Sequence, residues 1–406
     1  MALVNMKDML YHAYENNYAV GAFDLVSLDF LEAVISAAEK CRAPVILSVD
    51  EPHFAHYDIE LMMPAVEAAA KRASIPVAIQ LDHASSLESA RRAINLGCNG
   101  ITLSSANRHL PENIEVSKQI TEMAHGCGVP VVGEVGHIGS NDEDASAHTM
   151  PVEARAYVER SGVDFLSVSI GTVQGRIKGK AKLDFPRLKQ IHADVDLPLV
   201  LHGGSGLNEE QFRRLTSMGV AKINYFTRLS DIAAKTMRDQ IKADKDGSFI
   251  DLKQGVKAAV AEEVERCLRL WGSAGRAAEV LTQCQPWAAV EQVIIYNVEA
   301  VSKQQARVMI EEGRHLLANI PGVREVFSGE AVKEDSKYKF CWLVRFTDKT
   351  VIESYRQHPD QIAFGHRLFH PFVTDQVKID FQDSATFSNS HAMPSFAKSP
   401  VLMASG

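Results

Sequence analysis

Three short stretches of this chain carry residues able to handle a metal ion and a proton. Asp82-His83 closes PVAIQLDH, Glu134 and His137 sit in PVVGEVGH, and His202 opens HGGSG. An imidazole gives one ring nitrogen to a divalent ion, and an adjacent carboxylate can move protons on a substrate. Two histidines and a glutamate on one face form the mixed nitrogen and oxygen set of a catalytic metal centre with an open position. Singly, each has a plain structural alternative. Asp82-His83 can merely cap the following helix, Glu134 can serve a salt bridge, and Gly203, Gly204 and Ser205 can form an ordinary tight turn. Those glycines also allow backbone N–H groups the close approach that a phosphate needs. Gly171, Gly175 and Lys178 make a second glycine-rich loop with a cation, although Lys178 and Lys180 also read as a solvated charge run.

The elements that must position these residues are eight short apolar runs. They begin YAVGAFDL at Tyr18, APVILSVD at Ala43, PVAIQLDH at Pro76 and GITLSS at Gly100. They continue PVVGEVGH at Pro130, DFLSVSIG at Asp164, PLVLHGGS at Pro198 and AKINYFT at Ala221. Helix-length segments rich in Ala, Leu, Glu and Arg separate them. Near-continuously apolar strands alternating with helices imply parallel pairing with both faces covered. Eight such units predict an α/β fold, a closed (β/α)8 TIM barrel of roughly 250 residues. Active sites of such barrels lie at the C-terminal strand ends, where this chain places its Asp, His, Glu and Ser.

The 406 residues exceed one barrel. The expected division is a barrel over 1–285, a second domain over 290–382 and a flexible Ser-, Ala- and Pro-rich tail over 383–406. The second domain reads as strand Gln292–Ala300, helix Lys303–Ala318, strand Lys339–Phe346, helix Thr347–His358 and strand Val373–Phe381. With the turn at Ile320–Val323 this gives a β-α-β-β-α-β, ferredoxin-like α+β order. KFCWLVRF puts Phe340, Trp342, Val344 and Phe346 on one face, expected to lie uncovered and to pair with a second copy. Hydrophobic content of 46% describes a globular chain with ample core, and the net charge of −8 argues against nucleic acid and anionic membrane as partners. Six scattered cysteines without a CxxC pair point to buried free thiols in a reducing compartment. No signal pattern or membrane-length run is present, so a cytoplasmic location is expected.

In order along roughly residues 1–280 the chain reads GAFD, QLDH, LPENI, GEVGHIG, SIGTVQGRIKGKAKLDF, LHGGSG, KIN and GSAGRA. This series resembles the class II, metal-dependent ketose-bisphosphate aldolases. The resemblance implies that His83 and His202 ligate a divalent metal, with Glu134 a metal-associated carboxylate. It makes Asp82 the acid/base residue at the carbonyl formed or consumed in C–C cleavage, and Asn224 the group holding the enediolate. Gly175, Lys178, Gly203, Gly204, Ser205 and Thr227 fall where the family binds the ketose phosphate. Asp142 or Glu143, in SNDED, matches the acidic loop residue that deprotonates the donor carbon.

The departures are specific. Gln174 stands where the family's IGTxHG carries its third histidine ligand. The resemblance implies Zn2+, but an amide oxygen is a weaker donor that favours harder ions, so Gln174 leaves Mn2+, Co2+ or Mg2+ as alternatives. Ser104-Ser105-Ala106 replaces the usual Asp-Gly-Ser, and Phe226 an acidic or small residue. Asp50, at a usually small and polar substrate position, is followed by Glu51, Pro52 and His53. Extra carboxylates at the mouth repel a second phosphate.

IPGV, KFCWLVRF, Tyr355, HPDQ at His358–Gln361 and FxPFVxDxVxxDF resemble the stress-responsive dimeric α/β-barrel (Dabb) domains. That resemblance implies association through the sheets and, in some members, binding of small apolar or aromatic molecules. His358 and His366 are then candidate pocket residues, with a structural role at a helix end as the alternative. The expected activity is a carbon–carbon lyase, cleaving or forming a ketose phosphate or related singly anionic hydroxy-ketone through an enediolate. Its partners would be a small-molecule substrate and further copies of the chain, as a homodimer or higher homo-oligomer. Two other readings remain: a non-catalytic sugar-phosphate sensor with a degenerate metal site, and a metal-dependent isomerase or epimerase. Retention of Asp82, His83, Glu134, His202 and Asn224 together favours catalysis.

Overall fold

Strands that are covered on both faces need apolar side chains at nearly every position, and the eight runs meet that need. A computed structural model describes residues 2–104, 108–136, 148–172, 183–298 and 303–382. The runs form β1 (Val20–Asp24), β2 (Val45–Asp50), β3 (Val77–Ala84), β4 (Gly100–Leu103), β5 (Val131–Val135), β6 (Phe165–Val168), β7 (Leu199–Leu201) and β8 (Val220–Tyr225). Each pairs in parallel with its neighbours, and β8 returns to β1, so the sheet closes into a barrel with no free edge. The expected (β/α)8 fold is present.

Alternation along each strand sorts side chains into two cores. Val20, Ala22, Ile46, Ala78, Val132, Phe165, Val200 and Ala221 point inward, while Phe23, Val45, Leu47 and Ile79 join the layer under the outer helices. The inner core is completed by Met6, Met9 and Leu10 of the helix Met6–Glu15, which plugs the N-terminal end. A Cβ on Gly100 would lie 2.3 Å from the Met6 sulfur, so the plug seats only because that position is glycine. With one end plugged, the C-terminal strand ends form the open mouth.

The second domain has β9 (Val290–Val298), β10 (Val323–Glu330), β11 (Phe340–Phe346) and β12 (Val373–Gln382) in the antiparallel order β10-β11-β9-β12. Helix Lys303–Ala318 follows β9, and helices Val351–Gln357 and Pro359–Phe364 follow β11, as the ferredoxin-like reading requires. One expectation is corrected. The face bearing Trp342, Val344 and Phe346 is the covered one: all three are buried, Trp342 edge-on to Phe364 and Phe346 edge-on to Tyr355. Phe340 is half-buried against Tyr296. The open face carries the alternate residues, and one row across it, Phe327–Leu343–Val293–Ile379, is apolar throughout. His358 caps helix Pro359–Phe364 through its Nδ1, 3.2 Å from the Asp360 N–H, and His366 is exposed, so the helix-end alternative holds for His358.

This domain docks on the plugged end of the barrel. Asn95, five residues before β4, donates to the carbonyls of Ala318 and Ile320 and accepts from the Gly322 N–H at 2.7 Å. Thr350 donates to the Cys127 carbonyl just before β5, and Arg324 forks onto Glu67. Five of the six cysteines are buried and all are free. No helix among the described residues is long and apolar enough to cross a membrane.

Candidate active site

Neighbouring residues on a strand face opposite ways, so Asp82 and His83 should diverge. They do not, because the β3–β4 register shifts between Leu81 and Ala84 and His83 adopts a left-handed φ of 52°. A non-glycine residue there is costly and is seen where surrounding structure enforces it. The turn keeps both side chains at the mouth, and the His83 ring comes to 5.2 Å from that of His202, centroid to centroid. One donor atom each from Asp82, His83 and His202 lies within 4.8 Å of the other two, the only such cluster of three among the described residues. Asn224, on β8, donates from Nδ2 to Asp82 Oδ2 at 2.6 Å and lies 3.1 Å from His202 Nε2.

The partners of His83 set its usable nitrogen. Nδ1 donates to Asp50 Oδ1 at 2.8 Å, so a metal would be met by Nε2. Burial works against charge on this ring, yet Asp82, Asp50 and Glu134 outweigh it and raise its pKa to about 10. His202 moves the other way, down to about 3, driven by burial and by the charges of His83 and Lys222. Burial would raise Asp82, but His83, His202 and Lys222 hold its carboxyl below the usual range. One imidazole is therefore neutral and the other protonated at neutral pH. A metal at His83 must displace that proton, so the apparent affinity should rise about tenfold per pH unit between about pH 6 and 9. Calorimetric titration with cobalt at three pH values checks this; a pH-independent affinity would show that binding displaces no proton and would overturn the charge assigned to His83.

A cavity of about 130 Å3 opens onto this cluster, lined also by Asp24, Asp50, Gly203, Phe226 and Thr227. Gly203 has φ 72° and begins the turn Gly204–Gly206, which presents backbone at the mouth after β7. Glu134 is buried at the end of β5, outside the three-residue cluster but close enough to act on His83. Glu51 lies on the rim, taken up by Ser85 through its N–H at 2.8 Å and its hydroxyl at 2.6 Å. Gln174, Gly175, Lys178, His137, Asp142, Glu143 and the side chain of Ser205 lie outside the described residues.

Two residues in this region were given no role from sequence. Asp24 ends β1 and is buried, with Oδ1 lacking any hydrogen-bond partner; burial, then Asp82 and Asp50, push its carboxyl well above the usual range. The strand-end rule that singled out Asp82 applies equally to it. Lys222 is wholly buried in β8, donates to Thr102 at 3.0 Å, and is lowered to about 8 by burial against the pull of Asp82 and Asp24. An inward lysine in KIN offers no sequence signal, because its partner is on the far strand β4.

Residues 4–276 match the family "Fructose-bisphosphate aldolase class-II". The chain belongs to that family. Residues 292–383 match the "Stress responsive A/B Barrel Domain", so this class II aldolase carries a second, Dabb domain. A fructose-bisphosphate aldolase of Staphylococcus epidermidis is 35% identical over 288 residues, 68% of this chain and all of that protein. A probable fructose-bisphosphate aldolase of Bacillus subtilis is 35% identical over 285 residues, again all of that protein. The crystal structure of the YdjI aldolase of Escherichia coli K12 is 30% identical with a TM-score of 0.62, covering 68% of this chain and 99% of that one. A putative fructose-1,6-biphosphate aldolase of Coccidioides immitis gives 25% identity and a TM-score of 0.63, covering 68% of this chain and 98% of that one. This chain is thus a metal-dependent aldolase, a carbon–carbon lyase with a divalent metal cofactor and a small-molecule substrate. The sensor and isomerase readings are not favoured by these relatives.

Proposed function

We propose that this aldolase cleaves and forms a ketose, or related hydroxy-ketone, bearing a single anionic group, with zinc as the preferred ion. The observation carrying this reading is the convergence of His83, His202 and Asp82 within 4.8 Å beside Asn224, at the open mouth of the barrel. The donor set fits a divalent ion: two imidazoles stand beside a carboxylate, and the buried Asn224 Oδ1 lacks a hydrogen-bond partner. His83 and His202 would hold the ion, with Glu134 or Gln174 adding oxygen, while Asp50 orients His83 and borders the substrate. Bound there, the metal would act as a Lewis acid toward the ketone of the donor half.

In the cleavage direction the Asp82 carboxylate takes the proton of the hydroxyl two carbons from the carbonyl. The hydroxyl oxygen becomes the aldehyde carbonyl as the bond from its carbon to the carbon next to the ketone breaks. That bond's electron pair forms the enediolate double bond, and the ketone π pair moves to its oxygen. Asn224 Nδ2 donates to the enediolate so formed. Asp142 or Glu143 then returns a proton to its carbon, as the same residue removes one in the reverse direction. The N–H groups of Gly203, Gly204 and Ser205, with Gly175, Lys178 and Thr227, hold the anionic end of the substrate. At the other end Asp24, Asp50 and Asp82 crowd one small cavity, which supports rejection of a second phosphate. Comparison of kcat/KM for a ketose 1-phosphate and for fructose 1,6-bisphosphate tests this. Efficient cleavage of the bisphosphate would overturn the single-anion reading.

We also infer that the chain divides near residues 285–290, works in the cytoplasm and associates through its Dabb sheet. The uncovered apolar row Phe327–Leu343–Val293–Ile379 supports a two-fold contact through that open face. Leu343→Glu places a charge at its centre and is expected to halve the mass in solution measured by light scattering. An unchanged mass would move the contact elsewhere.

A further inference from the structure

A cavity of about 590 Å3, against about 130 Å3 at the barrel mouth, lies between the plugged end of the barrel and the Dabb sheet. Its size suits a small molecule, and such sites favour domain junctions. Leu3, Trp287 and Phe381 supply apolar wall. Of its three cations, Arg345 is met by two carboxylates, Glu291 at 2.6 Å and Glu325 at 2.8 Å, so any positive excess is local to Lys71 and Arg324. Lys71 of the barrel and Arg324 of the sheet share the single carboxylate of Glu67, which makes that wall locally positive. Thr347 also lines the cavity and is 3% exposed, yet its hydroxyl has no hydrogen-bond partner. Native proteins seldom leave a buried hydroxyl unpaired unless something else meets it. Neither domain makes this site alone, since Glu67 and Lys71 come from the barrel and Arg324, Arg345 and Thr347 from the sheet.

We propose that this cavity is a binding site for a small amphipathic monoanion, its apolar body against Trp287 and Phe381 and its acid group toward Lys71 and Arg324. The site is independent of the catalytic assignment above. Two fluorescent probes of similar shape separate the contributions: anionic 8-anilinonaphthalene-1-sulfonate and uncharged N-phenyl-1-naphthylamine, each titrated into the full-length protein. The anionic probe should bind once per chain. Lys71→Gln should weaken it by about fivefold and leave the neutral probe unchanged, as expected for loss of one partly exposed charge contact. Ala289→Phe, which fills the cavity, should abolish both. Phe327→Ser, on the open sheet face outside the cavity, should change neither. Should Ala289→Phe fail to fold, raising salt from about 50 to 500 mM should still weaken only the anionic probe. Absence of binding to the wild type, as when a partner sheet fills the space, would overturn the proposal. So would indifference to Lys71→Gln, or loss of binding in Phe327→Ser.

Discussion

Alanine in place of His202 is expected to strip the divalent metal and to lower kcat/KM at least about a thousandfold, leaving the barrel folded. A thousandfold corresponds to roughly 4 kcal/mol of transition-state stabilisation, a reasonable share for a Lewis acid at the reacting carbonyl. His202 is 3% exposed and meets other side chains at the mouth, so its removal leaves a small polar gap rather than a hole in the apolar core. His83→Ala should behave alike. Asp50→Asn should weaken metal binding less, by about 10- to 100-fold, because it only orients the His83 ring. Elemental analysis of purified variants beside circular dichroism gives the answer. Full metal stoichiometry in His202→Ala would show that the ion, wherever it binds, does not use this ring.

Asp82→Asn should lower kcat by about 10²- to 10⁴-fold, the usual worth of a positioned general acid/base. The change keeps shape and removes charge, so the hydrogen bond from Asn224 is the main contact disturbed. Metal content distinguishes two roles that the geometry brings close together, since Asp82 lies within ligand distance of both imidazoles. Retained metal with lost turnover fits proton transfer. Parallel loss of metal would make Asp82 the oxygen ligand and free Glu134 for another task.

The parts of the proposed metal cluster were legible because chemistry there depends on residue type at strand ends. QLDH, GEVGH, HGGSG and KIN each end or follow a strand, and a closed parallel barrel gathers such ends at one mouth whatever the helices do. Asp24 was equally accessible to that rule but unremarked within GAFD. Lys222 was not, because its meaning depends on Thr102, 120 residues away across the barrel.

Local pattern determined that KFCWLVRF is a strand and that Phe340, Trp342, Val344 and Phe346 share a face. It could not determine which face is covered, since Cys341 and Leu343 are apolar too and alternation has no sign. The side on which helices Lys303–Ala318, Val351–Gln357 and Pro359–Phe364 cross decided that, and it left the opposite face open. The same division holds at the mouth. Sequence alone determined eight parallel strands and the ferredoxin-like order, because these follow from periodicity, while the proposed metal-binding side chains came from residue type at strand ends together with the family resemblance. Only the tertiary structure decided the left-handed turn that aims His83 at His202, the opposite charge states of those two rings, and the cavity where the domains meet. Each of these arises from groups far apart in the chain, whose burial and mutual fields exist only once the barrel has closed.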